Sequence, residues 1–326
     1  MKRHLLPILI STLAFSCSEA TPVEAKKSAA SENSQDAVDQ KTGDNGGEAK
    51  KKPTPKTDSD SDSKAPPSEE MDKGESEEDD KILVPKDEDK PSIEDNRETC
   101  FQSIQLKAQT AKFAVHDYET ASYSTCAISD FATLWSPELA KNKDLFEKSY
   151  DLAKIKLAEV KKLIPARRFE LLKSVKFWFE VKRDAGSAVY HPGKEWLQAN
   201  QINPDKAGAI ELSNSSNFVA WSKDQPLMLL HELTHAFHYR IPQSAVQLIK
   251  ARFEDVKKTS LYQSVSNSNG TKVKAYALNT EFEFFAELSE SYYGMNDFSP
   301  FTRSELQKYD NTSLQLVDSI WNSTAY

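Results

Sequence analysis

An α+β domain at the carboxyl-terminal end is what the sequence predicts, and three observations carry that prediction. Of the 32 aromatic residues in the 326-residue chain, all but Phe15 lie from Phe101 onward. The 229 residues of 98–326 carry 27 acidic and 27 basic side chains, a composition suited to one compact domain with a substantial core. Within it, strand-like segments come first and helical patterns dominate afterwards, the order of an α+β fold.

The opening segment MKRHLLPILISTLAFSC places Lys2 and Arg3 before a short apolar run, Leu5 to Phe15. Such a run is an export signal and too short for a membrane span. Residues 1–17 resemble a bacterial lipoprotein signal, which implies that Cys17 is acylated and becomes the mature first residue. Phe15 stands where that pattern usually has a small residue, and the alternative is an ordinary signal cut beyond Cys17. The expected location is the cell envelope, as an outer-membrane lipoprotein, or otherwise the secreted fraction.

From Ser18 to Arg97 there is no aromatic residue, against 23 acidic and 13 basic side chains and seven prolines. This stretch has too little apolar surface to offset the entropy of ordering its backbone, so a disordered acidic linker is expected over 18–97. The net charge of -8 originates there. The balanced domain has no global bias toward nucleic acid, and no nucleic-acid partner is expected. The block Glu75–Asp80 lacks the glycine and spaced oxygen ligands of a calcium loop. With Cys17 lipidated, Cys100 and Cys126 remain as an even pair in an oxidising compartment. A disulfide between them would contribute roughly 3 kcal/mol by loop closure; two separate thiols are the alternative.

Along the domain, Phe101–Phe131 suggests short strands. Leu145, Leu152, Ile155, Ala158 and Leu163 recur at helical spacing between Lys143 and Leu163, and Pro165 closes the run. Lys173–Val181 reads as a strand, Tyr190–Gly193 as a turn before a short helix through Trp196 and Leu197, and Gly208–Ser213 (GAIELS) as a second strand. A helix from Pro226, with Asp224 as its cap, runs through LMLLHELTHAFHYR. Further helices are expected over Ser244–Lys258, Asn279–Tyr293, Arg303–Tyr309 and Leu314–Trp321, with Thr271–Ala277 extended.

His231-Glu232-Leu233-Thr234-His235 is H-E-x-x-H within that helix. Residues four apart differ by only ~40° around a helix, so both imidazoles leave one face and can reach a single Zn²⁺. Glu232, one step round, can take a proton from water beside the ion. A catalytic zinc needs a third protein ligand. Position 241, where a further histidine would follow six residues after His235, is Ile241. His238 is two turns from His231 and cannot share the ion; it is a cleft-wall group or a packed histidine. His116 and His191 come from other segments. Glu283 and Glu287, four apart in a run rich in phenylalanine, offer the missing carboxylate. One would bind the ion and the other would orient an imidazole, unless both belong to an exposed acidic stripe.

H-E-x-x-H followed by a distant helical glutamate resembles the gluzincin metallopeptidases. The segment YALNTEFEFFAE (Tyr276–Glu287) is similar to the catalytic domain of anthrax lethal factor, with a tyrosine seven residues before the ligand glutamate. The wider stretch from about Leu163 to Trp321 is similar to a family of predicted secreted metallopeptidases in bacteria and fungi. The resemblance implies a zincin-like fold with a small mixed sheet and an active-site helix. It also implies one catalytic zinc on His231, His235 and Glu283, with Glu232 as general base and Glu287 behind a ligand. Tyr276 would be the oxyanion donor, though a core tyrosine is the other reading. GAIELS would be the edge strand to which an extended peptide adds, and Tyr190 and His191 either border a subsite or form a structural turn. The expected substrate is a peptide or protein; a cell-wall peptide, or a binding role without turnover, are the alternatives. Metabolic labelling with a fatty acid is expected to mark the wild type and not Cys17→Ser, whereas an unlabelled wild type with a mature terminus beyond Cys17 means simple secretion.

Overall fold

The computed structural model describes residues 93–114 and 117–326, with side chains from Asn96 onward. The signal segment with Cys17, the predicted linker up to residue 92, and His116 lie outside the described residues.

Helix α1 (Ile93–Ala108) replaces the strands expected from Phe101 and starts before the expected domain boundary at residue 98. Its sequence is mostly polar, and Cys100, Phe101 and Ile104 form one short buried stripe, too little to leave a helical period. Strands β1 (Phe113–Ala114) and β2 (Asp117–Tyr118) pair antiparallel, and β3 (Ser124–Ile128) turns back into β4 (Phe131–Trp135). A disulfide joins Cys100 of α1 to Cys126 of β3, their Cα atoms 5.9 Å apart, which decides between the two readings of the pair.

Helix α2 (Lys143–Leu163) has the predicted limits and starts on Asn142, whose side chain accepts from the Leu145 N–H. Its buried face is turned from the predicted stripe. Phe146, Tyr150, Ala153, Leu157 and Val160 point inward while Ile155 is 56% exposed. Phe146 and Tyr150 pack on the Trp135 ring, and burying those aromatics outweighs burying Leu152 and Ile155. After α3 (Ala166–Leu172) the predicted strand over 173–181 narrows to β5 (Phe177–Phe179). Then come β6 (Val189–Tyr190), α4 (Lys194–Ala199), β7 (Ile210–Leu212) and α5 (Ser215–Trp221). Asn214 caps α5 by accepting from the Asn217 N–H. Helix α6 (Met228–His238) starts at Leu227 with no side-chain cap, so Asp224 does not take the role foreseen for it. Helix α7 (Gln243–Lys257), the pair β8 (Val265–Ser266) and β9 (Lys272–Val273), α8 (Glu281–Tyr293), α9 (Arg303–Tyr309) and α10 (Asn311–Asn322) complete the chain.

Five strands form one mixed sheet in the order β3-β4-β5-β7-β6. β4, β5 and β7 run parallel, with β3 and β6 antiparallel at the two edges. GAIELS is therefore an interior strand and not the edge: β6 covers its outer side, Val189 opposite Glu211 and Tyr190 opposite Ile210. Gly208 makes that return possible. Its φ of +74° suits glycine, and its N–H donates to the His191 carbonyl at 2.6 Å.

Side-chain alternation splits the sheet. Phe131, Trp135, Phe177, Phe179, Ile210 and Leu212 join the main core, whereas Leu134 and Trp178 face the other way with Tyr123. On that second face Lys206 is fully buried, with Nζ 2.7 Å from Asp117, 2.8 Å from Glu180 and 2.7 Å from Glu211. Arg183 and His191 hold the two oxygens of Glu211 at 2.6 and 2.7 Å. These ion pairs tie β5, β7 and the residue following β6 into one unit.

Arg168 of α3, also buried, donates to the carbonyls of Ile320, Trp321, Ser323 and Tyr326 at 2.7–3.1 Å. Its guanidinium lies over the rings of Phe237 and Tyr326, which fastens α10 and the residues after it to the core beside α6. Arg168→Ala strands these acceptors, and a loss of about 3 kcal/mol or more is expected. In thermal melts followed by circular dichroism the midpoint should fall by roughly 6–12 °C, with Arg168→Lys in between.

Candidate metal centre

Helix α6 is apolar apart from one stripe. Met228, Leu229, Leu230, Leu233, Ala236 and Phe237 are buried, and Thr234 returns its hydroxyl to the Leu230 carbonyl at 2.8 Å. That packing turns His231 and His235 toward α8, with ring centroids 4.8 Å apart and planes at 83°. On α8, Phe284, Phe285 and Leu288 anchor the helix in the core. Thr280 caps it by accepting from the Glu283 N–H at 3.1 Å, which fixes the first turn. Gly294 ends it against Leu227, whose Cδ1 would stand 2.9 Å from a Cβ at that position, so the end of α8 sits close on the start of α6.

The two helices bring together the three predicted ligands. Glu283 Oε2 is 3.0 Å from His231 Nε2 and 3.4 Å from His235 Nε2, and the donor atoms of the trio lie within 4.8 Å of one another. Ligands bound at ~2.1 Å to a tetrahedral ion stand about 3.4 Å apart, so this spacing fits one small cation.

The protons point the same way. His231 Nδ1 is 2.6 Å from Glu290 Oε1, and with Glu290 ionised the carboxylate accepts and Nδ1 carries the hydrogen. In the neutral imidazole that leaves a lone pair on Nε2, aimed at an oxygen of Glu283. Lone pairs converging in this way are a site for a cation, or for a proton in its place. Burial opposes charge on His231, but Glu283 and Glu290 outweigh it and hold the imidazole well above the usual histidine range. Burial likewise opposes charge on Glu283, and His235 and His231 overcome it, keeping this carboxyl well below its usual range.

The residue behind His231 is not the predicted one. Glu287 Oε1 stands 3.8 Å from Nδ1, beyond hydrogen-bond reach, and Glu290 makes the contact. Glu290 continues the Glu283–Glu287 stripe at the next helical step, a spacing that could have flagged it. Glu287, Glu290 and Asp297 are all pushed above the usual carboxylate range, first by burial and, for each, by at least one other acidic neighbour.

Glu232 is 8% exposed and close enough to act electrostatically on Tyr276 and Glu290. Tyr276 opens the short 3₁₀ turn Tyr276–Leu278 before α8. Burial and then Glu283 push its phenol up, so it keeps its proton at neutral pH. His238 is the packed histidine of its two readings. Its ring lies 4.5 Å from Phe282 and 5.6 Å from Phe285, and neither nitrogen is hydrogen-bonded. Burial and then His235 push it down to about 4. His191 is bound to Glu211, and Tyr190, on β6, accepts from Arg240 at 3.3 Å.

Comparison with protein-family models, curated proteins and solved structures yields no match for this chain.

Removing the Glu290 carboxylate frees the His231 ring to turn. Glu290→Ala is expected to weaken binding of a divalent metal by about 10–100-fold. Glu290→Gln, whose amide oxygen still accepts from Nδ1, should lose less; competition against a chromophoric chelator measures both.

Proposed function

We propose that this chain is a zinc metallopeptidase of the zincin type, acting on peptide bonds outside the cytoplasm. The observation that carries the reading is the single oxygen of Glu283 facing both Nε2 atoms of the H-E-x-x-H pair. Two nitrogens and one oxygen are a donor set that suits Zn²⁺. His231, His235 and Glu283 would hold the zinc, which would supply Lewis-acid chemistry for the scissile carbonyl and for the attacking water.

The remaining work falls to the chain's own side chains. Glu232 takes the proton of the attacking water and passes it to the leaving amine nitrogen as the C–N bond breaks. Glu290 keeps His231 in the tautomer that presents Nε2. Tyr276, protonated at neutral pH, donates to the oxyanion that develops on the carbonyl oxygen. An extended peptide adds to the outer side of β6, the sheet edge that lies against α6. The lipid anchor at Cys17 and export to the cell envelope belong to the same proposal and rest on the sequence.

The full-length protein should bind one equivalent of zinc, sharply reduced in His235→Ala. Glu232→Gln should keep zinc and fold while losing at least about 10²-fold in kcat. Tyr276→Phe should lose about 10²-fold or less, with KM little changed. A zinc-loaded wild type that cleaves nothing in a mixed peptide library would turn the assignment toward a binding module, and cleavage of cell-wall peptides alone would turn it toward an amidase. Equal turnover by wild type and Glu232→Gln would remove Glu232 from the mechanism.

A further inference from the structure

A row of aromatic rings leads from the sheet edge to the metal trio and reaches the surface in its middle. The ring of Tyr239, the residue after α6, has its centroid 5.7 Å from that of Tyr190 on β6 and 5.1 Å from that of Phe282 on α8. It lies within 11° of parallel to Phe282. Tyr190 is buried and Phe282 partly so, whereas Tyr239 is 50% exposed.

The chain places each ring beside the metal centre for a local reason. Tyr239 follows His235 by four residues and keeps a helical backbone, with φ −75° and ψ −8°. Its side chain therefore leaves the same side as the ligand imidazoles, about 6 Å further along the axis. Phe282 stands next to Glu283 in the first turn of α8. Tyr190 joins the main core, so it points to the face of the sheet that packs against α6. Its hydroxyl accepts from Arg240, which also donates to the Ala236 carbonyl at 2.7 Å and so pins β6 to the end of α6.

Phe282 is backed in turn by His238, which is 2% exposed, with ring centroids 4.5 Å apart. Neither nitrogen of His238 has a hydrogen-bond partner among the described residues, so this imidazole acts as a flat ring that supports Phe282. A single exposed tyrosine is ordinary on a protein surface. Tyr239 differs in being stacked, supported from below and set one helical turn from His235. When an extended peptide pairs with β6, the residue opposite Tyr190 turns its side chain to the same face as Tyr190. That side chain meets Tyr239 and Phe282. An extended chain advances ~3.4 Å per residue, so about two residues separate this point from the metal trio. Aromatic pairs gain more than the area they bury, which favours a ring there over an aliphatic chain of similar size.

We propose that Tyr239 and Phe282 form a subsite that selects peptides carrying phenylalanine, tyrosine or tryptophan within two residues of the cleaved bond. The subsite deepens the peptidase reading and rests on it.

The test uses the full-length protein loaded with zinc, and peptides of glycine, serine and alanine with one guest residue: phenylalanine, leucine or alanine. Wild-type kcat/KM should favour the phenylalanine guest over the alanine guest by about tenfold or more, with leucine between them. Mass spectrometry should place the cut within two residues of the guest. Tyr239→Ala should remove most of that preference while changing turnover of the alanine peptide by less than about twofold, and Tyr239→Phe, which keeps the ring, should retain it. Isothermal calorimetry of the same peptides on Glu232→Gln should show the same preference in Kd, lost when Tyr239→Ala is added. That binding arm separates the two readings: a preference in binding with no cleavage by the wild type keeps the subsite and removes the peptidase. Cleavage indifferent to the guest, a phenylalanine peptide bound no better than its alanine counterpart, or a preference unchanged in Tyr239→Ala would overturn the subsite. Tyr239→Leu, which keeps apolar area without a ring, takes the place of Tyr239→Ala if that variant does not fold, and it should equally lose the preference for phenylalanine over leucine.

Discussion

Everything at the candidate site depends on how α6 and α8 pack. Two imidazoles four residues apart are placed by helix geometry alone, but Glu283 belongs to another helix and must be brought to them. Leu229, Leu230, Leu233 and Phe237 on one side and Phe284, Phe285 and Leu288 on the other hold the helices in register. Thr280 fixes the first turn of α8, and Gly294 lets its last turn close on Leu227. A shift of an ångström between the helices would separate Glu283 from one histidine or the other, so the core packing and the metal geometry are a single constraint.

The sheet supports this arrangement from a distance. Its apolar face receives the helices, while its opposite face is organised by a buried lysine with three carboxylates around it. That cluster holds Glu211 in place, and Glu211 holds His191, the residue that follows β6. The short edge strand has only two paired residues of its own. The His191–Glu211 hydrogen bond and the Gly208 turn add to its ladder in holding it there.

What could be read in the sequence follows from how local each signal is. His231 and His235 lie in one helix, so their shared face was visible. Glu283 was visible because two carboxylates at helical spacing among phenylalanines need a reason to be there. Glu290 lies on the same helical stripe, but choosing it over Glu287 depends on how α8 crosses α6, which no local pattern records. The resemblance implies an edge strand at GAIELS, and the strand that covers it, Val189–Tyr190, is too short to show a period of two. The α2 stripe failed for a related reason: hydrophobic spacing allowed two faces, and contacts of Phe146 and Tyr150 with the distant Trp135 chose between them. The paired cysteines were legible by arithmetic, and the bond itself only by geometry.

Two concentrations of buried charge remain, and they differ in kind. Around Lys206, acids and bases meet in hydrogen-bonded pairs, and the cluster stands where structure alone has to be held. Around His231, acids gather with one imidazole and, among the described residues, no lysine or arginine within ion-pair distance. A fold selected only for stability would have little use for the second arrangement, since uncompensated buried carboxylates oppose folding. A carboxylate accepting from Nδ1 nevertheless has a chemical effect at Nε2: it makes the imidazole a stronger ligand and fixes the direction of its lone pair. On the proposed reading, the strain of the acidic cluster is therefore tied to the ligand strength of His231. The place where the chain departs furthest from ordinary core chemistry is also the place where its metal would be held.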